Sequence, residues 1–267
     1  MTSLRSIRGF AFDLDGTIWA GPRLLPGAAE LVADVRAAGL PVVFATNSSQ
    51  KGARVVAPIL ASLGIPAEPR EVVTAFDLAA GEVLRRMGPV PVLVLGNDDL
   101  SDSMASVGHA PLPFDRWEEA RAVVVGVDPA FSYGRLRAAS RAVAAGAAFF
   151  AVNMDARFPV SDGFDPGCGA LVEAVATAAR VRPIALGKPH PALFEEAVSR
   201  LGCPAGSAAI VGDSQASDMV GGKAAGMVTI WVHPAADVPA LVEPDLTVDD
   251  LVELRRLWLA ASAPPAR

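Results

Sequence analysis

Short apolar runs alternate with amphipathic stretches along the 267 residues, and this alternation predicts an α/β protein built on a parallel sheet with helical crossovers. Two further observations shape the prediction: Gly88-Pro89 and Pro91 interrupt the pattern, and it resumes near Arg182-Pro183. Residues 1–87 and 183–267 are therefore expected to form one α/β domain, with residues 88–182 inserted into it as a second, smaller α/β domain. The length exceeds what one core holds comfortably, which agrees with two domains.

Taken in order, Gly9 to Leu14 reads as a buried strand and Gly27 to Ala38 as a helix stopped by Gly39. Pro41 to Ala45 follows as a strand and Lys51 to Leu63 as a helix stopped by Gly64, with a further helix over Asp77 to Met87. In the middle block, Val90 to Leu95, Ala122 to Val127 and Ala147 to Val152 are expected strands, and Ser132 to Ala145 and Ala170 to Ala179 expected helices. The outer domain then resumes with helix Pro191 to Leu201, strand Ala208 to Val211, a short helix Ser217 to Ala225 and strand Val228 to Val232. Thr247 and Asp250 are expected to cap a last helix, Asp249 to Ala260, and Ser262 to Arg267 to fray.

Composition excludes several classes. Hydrophobic residues make up 52% and charged residues 19%, but every apolar run is broken before it could span a bilayer. Met1 to Arg8 carries no signal-peptide core, and Cys168 and Cys203 are too few for a disulfide scaffold, so a cytoplasmic protein without membrane partners is expected. The net charge is -6 and the basic residues are scattered, which gives no footprint for nucleic acid. An anionic substrate must then be attracted locally, by a cation or a few placed donors. His109, His190 and His233 share no ligand spacing and are given no role.

Four strings at expected strand ends of the outer domain carry the chemistry. Asp13-Leu14-Asp15-Gly16-Thr17 places two carboxylates two residues apart, on the same side of an extended segment, at the carboxyl end of a strand. Thr46-Asn47-Ser48-Ser49 offers a hydroxyl, an amide and the N–H groups of an expected helix start to phosphate oxygens. Gly187-Lys188-Pro189 supplies a fixed positive charge, although Pro189 in place of Ser/Thr shows that it is not a P-loop. Gly212-Asp213-Ser214-Gln215-Ala216-Ser217-Asp218 brings two more carboxylates, hard oxygen ligands suited to Mg²⁺. A dianionic phosphate approaching Asp13 meets a repulsion of about 4 kcal/mol per charge pair at about 4 Å and an effective dielectric near 20, so a cation is needed. Each string alone also reads as an ordinary turn or helix cap; their conjunction points to phosphoryl transfer.

In this order the strings resemble the four motifs of the haloacid dehalogenase (HAD) superfamily phosphatases, which implies a Rossmann-like core carrying an inserted cap domain. Val125-Gly126-Val127-Asp128 with Phe131-Ser132-Tyr133, Asn153-Met154-Asp155 with Pro159, and Pro166-Gly167-Cys168-Gly169 resemble the cap of the p-nitrophenylphosphatase, phosphoglycolate phosphatase and pyridoxal phosphatase branch. The resemblance implies that Asp13 is the nucleophile and Asp15 the acid and base. It implies Mg²⁺ as cofactor, held by Asp13, the Asp15 backbone carbonyl and Asp213, with Asp218 acting through water or from behind, and phosphate held by Thr46, Asn47 and Lys188.

The resemblance also assigns substrate choice to a cap loop, here Asn153 to Pro159, with Asp155, Arg157 and Phe158 as the specificity residues. Phe158 stands where the pyridoxal phosphatases carry a histidine, which counts against pyridoxal 5′-phosphate. Trp19 reads as a packed aromatic more readily than as an entrance wall. The expected activity is Mg²⁺-dependent hydrolysis of small phosphomonoesters such as glycerol phosphate, phosphoglycolate or a nucleotide monophosphate, with p-nitrophenyl phosphate turned over in vitro. The rivals are a phosphotransferase or mutase and a catalytically weak binding protein. A homodimer through the cap is implied by resemblance only.

Overall fold

The computed structural model describes residues 4–160, 163–232 and 240–262; of the expected fray over Ser262 to Arg267 only Ser262 is described, at the end of the helix Leu251–Ser262, and the rest and His233 lie outside. The chain divides into two compact units: residues 1–46, 53–73 and 188–267 form the first, and residues 47–52 and 74–187 the second. The fold is α/β with a parallel sheet at the heart of each unit.

In the first unit a six-stranded sheet runs in the order Leu246–Val248, Val228–Val232, Ala208–Gly212, Gly9–Phe12, Val42–Thr46, Val72–Thr74. Gly9–Phe12 pairs in parallel with Ala208–Gly212 on one side and Val42–Thr46 on the other, Phe12 lying level with Val211 and Phe44. Every residue of these three strands is buried, as continuous apolar strands covered on both faces must be. Strand order reverses about Gly9–Phe12, so the crevice beyond the carboxyl ends of these strands is where such sheets bind ligands. Phe10 stacks on Phe12 with ring centroids 5.8 Å apart, as side chains two residues apart on one strand can, and meets Trp258 of the helix Leu251–Ser262 edge-on at 5.2 Å.

The second unit is built on a five-stranded sheet, in the order Ile184–Ala185, Ala148–Ala151, Ala122–Val125, Pro91–Leu95, Ala110–Pro111, all pairings being parallel. Two of its helices begin where side chains satisfy free backbone N–H groups: Thr74 Oγ1 accepts from Asp77 N (2.9 Å) at the start of Ala75–Met87, and Ser132 Oγ accepts from Arg135 N (3.3 Å) at the start of Tyr133–Ala144. An antiparallel hairpin, Arg157–Val160 with Gly163–Pro166, precedes the helix Cys168–Ala179.

Some local expectations are corrected. Thr247 does not cap the last helix; it lies in the strand Leu246–Val248 opposite Trp231. Asp250 Oδ1 alone accepts from Glu253 N (2.7 Å), while Glu253 Oε2 reaches back to Asp249 N (2.9 Å). No helix starts at Ser48-Ser49: the next helix begins at Ala53. The helix Pro191–Leu201 begins where expected, capped by His190 and with Pro191 in its first turn. The short helix after Asp213 opens as a π-helical turn, Gln215–Met219, before Val220–Ala224. Among the described residues, no helix is long and apolar enough to cross a membrane.

Candidate active site

The carboxyl edge of the first sheet collects acidic side chains because its central strands end just before them. Asp13 follows Phe12, with its N–H donating to Val211 O (2.8 Å) so that the ladder continues one residue further, and Asp213 follows Gly212. The π-helical turn carries Asp218 back towards the strand end, and a Cβ on Gly212 would stand 2.4 Å from the Asp218 carboxyl carbon. Glycine is required there by proximity. Gly16 has φ +88, and a Cβ on it would lie 2.3 Å from Asp213 Oδ2, so the turn after Asp15 also depends on glycine.

Among the described residues Asp13, Asp213 and Asp218 can each offer an oxygen within 4.8 Å of the others. Lys188 Nζ donates to Asp13 Oδ1 (2.5 Å) and Asp218 Oδ1 (2.7 Å), with all three side chains buried. Asp218 Oδ2 accepts the Ser214 N–H (3.2 Å), so both of its oxygens are engaged by protein donors. Lys188 does not stand at a strand end of the same sheet, as its string suggested. The strand before it, Ile184–Ala185, pairs with Ala148–Ala151 in the second unit, and Lys188 is where the chain rejoins the first.

Charge balance explains the electrostatics. Burial pushes the Asp13 carboxyl well above the usual carboxylate range; Lys188 pulls it down, and Asp218 and Asp213 push it up again. Asp213 is pushed up to about 6, by burial first and then by Asp218. Burial works against the charge on Lys188, but Asp13 and Asp218 outweigh it and hold the ammonium above its ordinary value. Three carboxylates against one ammonium leave a surplus of negative charge among hard oxygen donors, which fits Mg²⁺, whose opposite ligand oxygens stand about 4.2 Å apart for a metal–oxygen distance near 2.1 Å.

Asp15 is exposed and stands outside that cluster. Its Oδ1 accepts the indole N–H of Trp19 (2.9 Å), and Trp19 is itself buried. A second indole, that of Trp231, donates to the backbone carbonyl of Asp213 (2.8 Å). Neither contact was foreseen; the spacing of four between Asp15 and Trp19 across a Gly turn is the signal that could have found the first. Thr46 is buried at the end of its strand.

The remaining candidates belong to the second unit. There Asn47 Nδ2 donates to Asp155 Oδ1 (3.4 Å), and Asn153 Nδ2 donates to Asn47 O (2.5 Å), tying the loop after Thr46 to the loop after Ala148–Ala151. A Cβ on Gly187 would lie 2.5 Å from Asn47 Oδ1, so the backbone there comes close to the Asn47 side chain. Arg157 and Phe158 sit on the hairpin, where the exposed Arg157 guanidinium covers the Phe164 ring at 5.0 Å.

Residues 10–110 match a family model described as haloacid dehalogenase-like hydrolase, and residues 185–254 match one described as HAD-hydrolase-like. Over 255 residues the chain is 30% identical to a 5′-nucleotidase of Bacillus subtilis (strain 168), covering 94% of this chain and 98% of that protein. Of solved structures, the 4-nitrophenylphosphatase of Thermotoga maritima superposes with a TM-score of 0.86 at 29% identity, covering 96% of this chain and 99% of that one. A glycerol phosphate phosphatase from Mycobacterium tuberculosis in complex with magnesium superposes with a TM-score of 0.84 at 32% identity, covering 95% of this chain and 78% of that one.

Proposed function

Because the chain belongs to the haloacid dehalogenase-like hydrolases, we propose that it is a Mg²⁺-dependent phosphatase that hydrolyses small phosphomonoesters through an aspartyl-phosphate on Asp13. The observation that carries this reading is the buried ammonium of Lys188 held by Asp13 and Asp218, with Asp213 completing a carboxylate cluster.

Each residue has a role that follows from its chemistry. Asp13 attacks phosphorus as the bond to the leaving oxygen breaks, and Asp15, the exposed carboxyl of the pair, gives that oxygen its proton. Water then attacks phosphorus, Asp15 takes its proton, and inorganic phosphate leaves with the Asp13 carboxylate restored. Lys188, Thr46 and Asn47 hold the phosphoryl oxygens, and Lys188 also offsets part of the cost that burial places on the Asp13 charge. Asp13, the Asp15 carbonyl and Asp213 would hold Mg²⁺, which would screen the charge of the phosphate when bound. Asp218 serves as a support behind them, a role favoured by the engagement of both its oxygens.

Residues 88–182 are read as the cap, and Asp155, Arg157 and Phe158 as its specificity residues. The name of the B. subtilis relative supports a nucleotide monophosphate as substrate, and that of the M. tuberculosis relative supports glycerol phosphate. Phosphoglycolate remains in the same class, and p-nitrophenyl phosphate is the artificial substrate expected from the T. maritima relative.

Asp13→Asn is expected to lower kcat on p-nitrophenyl phosphate by at least about a thousandfold while the protein still folds. Turnover at the wild-type rate in that variant would overturn the assignment of the nucleophile. Release of inorganic phosphate in one-to-one ratio with alcohol separates hydrolysis from transfer to a second alcohol.

A further inference from the structure

We infer that Trp19 is a positioning residue for the acid and base of the reaction, its indole N–H fixing the Asp15 carboxyl in the orientation that protonates the leaving oxygen. The inference rests on the reading of Asp15 as acid and base. Asp15 is exposed, so burial does little to select one rotamer, and an acid that must meet a particular oxygen loses rate with every misplaced conformer. The Trp19 indole supplies that selection from a rigid base. Only 8% of Trp19 is exposed, within the apolar core of the first unit.

The turn is closed by the backbone as well. Trp19 N donates to Leu14 O (3.0 Å), Gly16 N donates to Trp19 O (2.8 Å), and Ile18 N donates to Leu14 O (2.9 Å). The donor is thereby held on the turn that bears its acceptor, and the Nε1 to Oδ1 distance is 2.9 Å. One carboxylate oxygen is committed to the indole, which directs the other to the substrate. A bond from a neutral N–H to a carboxylate orients that group without adding a competing charge.

Leaving groups supply the readout, because an alkoxide must be protonated as it departs whereas p-nitrophenolate departs readily without help. Trp19→Phe keeps an aromatic side chain of smaller volume and removes the donor. It is expected to lower kcat/KM, which covers the departure of the leaving group, by about 10- to 100-fold on glycerol phosphate and by less than about threefold on p-nitrophenyl phosphate, whereas kcat, which also contains the water attack that Asp15 assists, is expected to fall on both. In an Asp15→Asn background, Trp19→Phe is expected to change neither rate further. Mg²⁺ affinity by titration calorimetry should stay near that of the wild type, and although the smaller ring in a buried site is expected to lower the melting temperature, the dependence of the loss on the leaving group separates positioning from packing. Equal losses of kcat/KM on both substrates, or no loss on either, would overturn the inference even if Asp15→Asn is strongly impaired. An Asp15→Asn enzyme with full activity on glycerol phosphate would instead remove the premise about Asp15, whatever Trp19→Phe does.

Discussion

Lys188, Asp13, Asp213 and Asp218 form a group whose members are costly singly and tolerable together. A lysine 4% exposed would ordinarily lose its charge, and its two carboxylate partners reverse that preference. The same surplus of carboxylates sets a pH dependence. Asp213 titrates near 6 in the folded protein against an ordinary 3.8, so the folded state binds that proton more tightly than the unfolded chain. Its contribution to stability is therefore fully present below 3.8 and lost as the pH rises through about 6. Burial raises Asp13 in the same direction. A cation needs the deprotonated oxygens, so its dependence runs the opposite way. Mg²⁺ is expected to raise the melting temperature clearly near pH 7.5 and to bind at least about tenfold more weakly near pH 5. Calorimetric titrations at the two pH values check this, and equal affinities would contradict the carboxylate assignment.

At the scale of elements, the turns matter more than the strands they end. The strand Gly9–Phe12 is set by packing, since Phe10 and Phe12 stack within an apolar core, but the place of the Asp213 carboxylate is open only because residue 16 has no Cβ. Gly16→Ala is expected to cost about 1–2 kcal/mol in stability, because φ +88 suits glycine alone. It should also weaken Mg²⁺ at least about tenfold, because the added carbon collides with the Asp213 carboxylate. Denaturant unfolding and calorimetry read the two effects; an unchanged metal affinity would show that Asp213 is free to move aside. The elements also explain what was legible. Asp13, Asp213 and Thr46 were readable because each ends a short apolar run, a local signal. Lys188 was placed at the wrong sheet because its strand has only two residues and its ion pair spans 175 positions. The hairpin Arg157–Val160 with Gly163–Pro166 was missed because Pro159 and Pro166 argue against strand, and Gly163–Pro166 is exposed throughout and has no apolar alternation. The helix Asp98–Ser106 escaped notice because only Leu100 and Met104 of it are buried.

For the whole molecule, the α/β class followed from the alternation of elements, whereas the pairing order of six strands from both ends of the chain depends on contacts no local pattern encodes. The first sheet is completed only when residues beyond 188 pair with Gly9–Phe12, so the reacting groups come together only in the folded chain. The central claim is that one of them, Asp13, carries the phosphoryl group during turnover. Rapid acid quenching during hydrolysis of p-nitrophenyl phosphate, followed by borohydride reduction and peptide mass spectrometry, measures this directly. An acyl-phosphate reduced to homoserine at position 13, absent from Asp13→Asn, is the predicted result; a phosphoryl group on another side chain, or unaltered Asp13 throughout turnover, would contradict it.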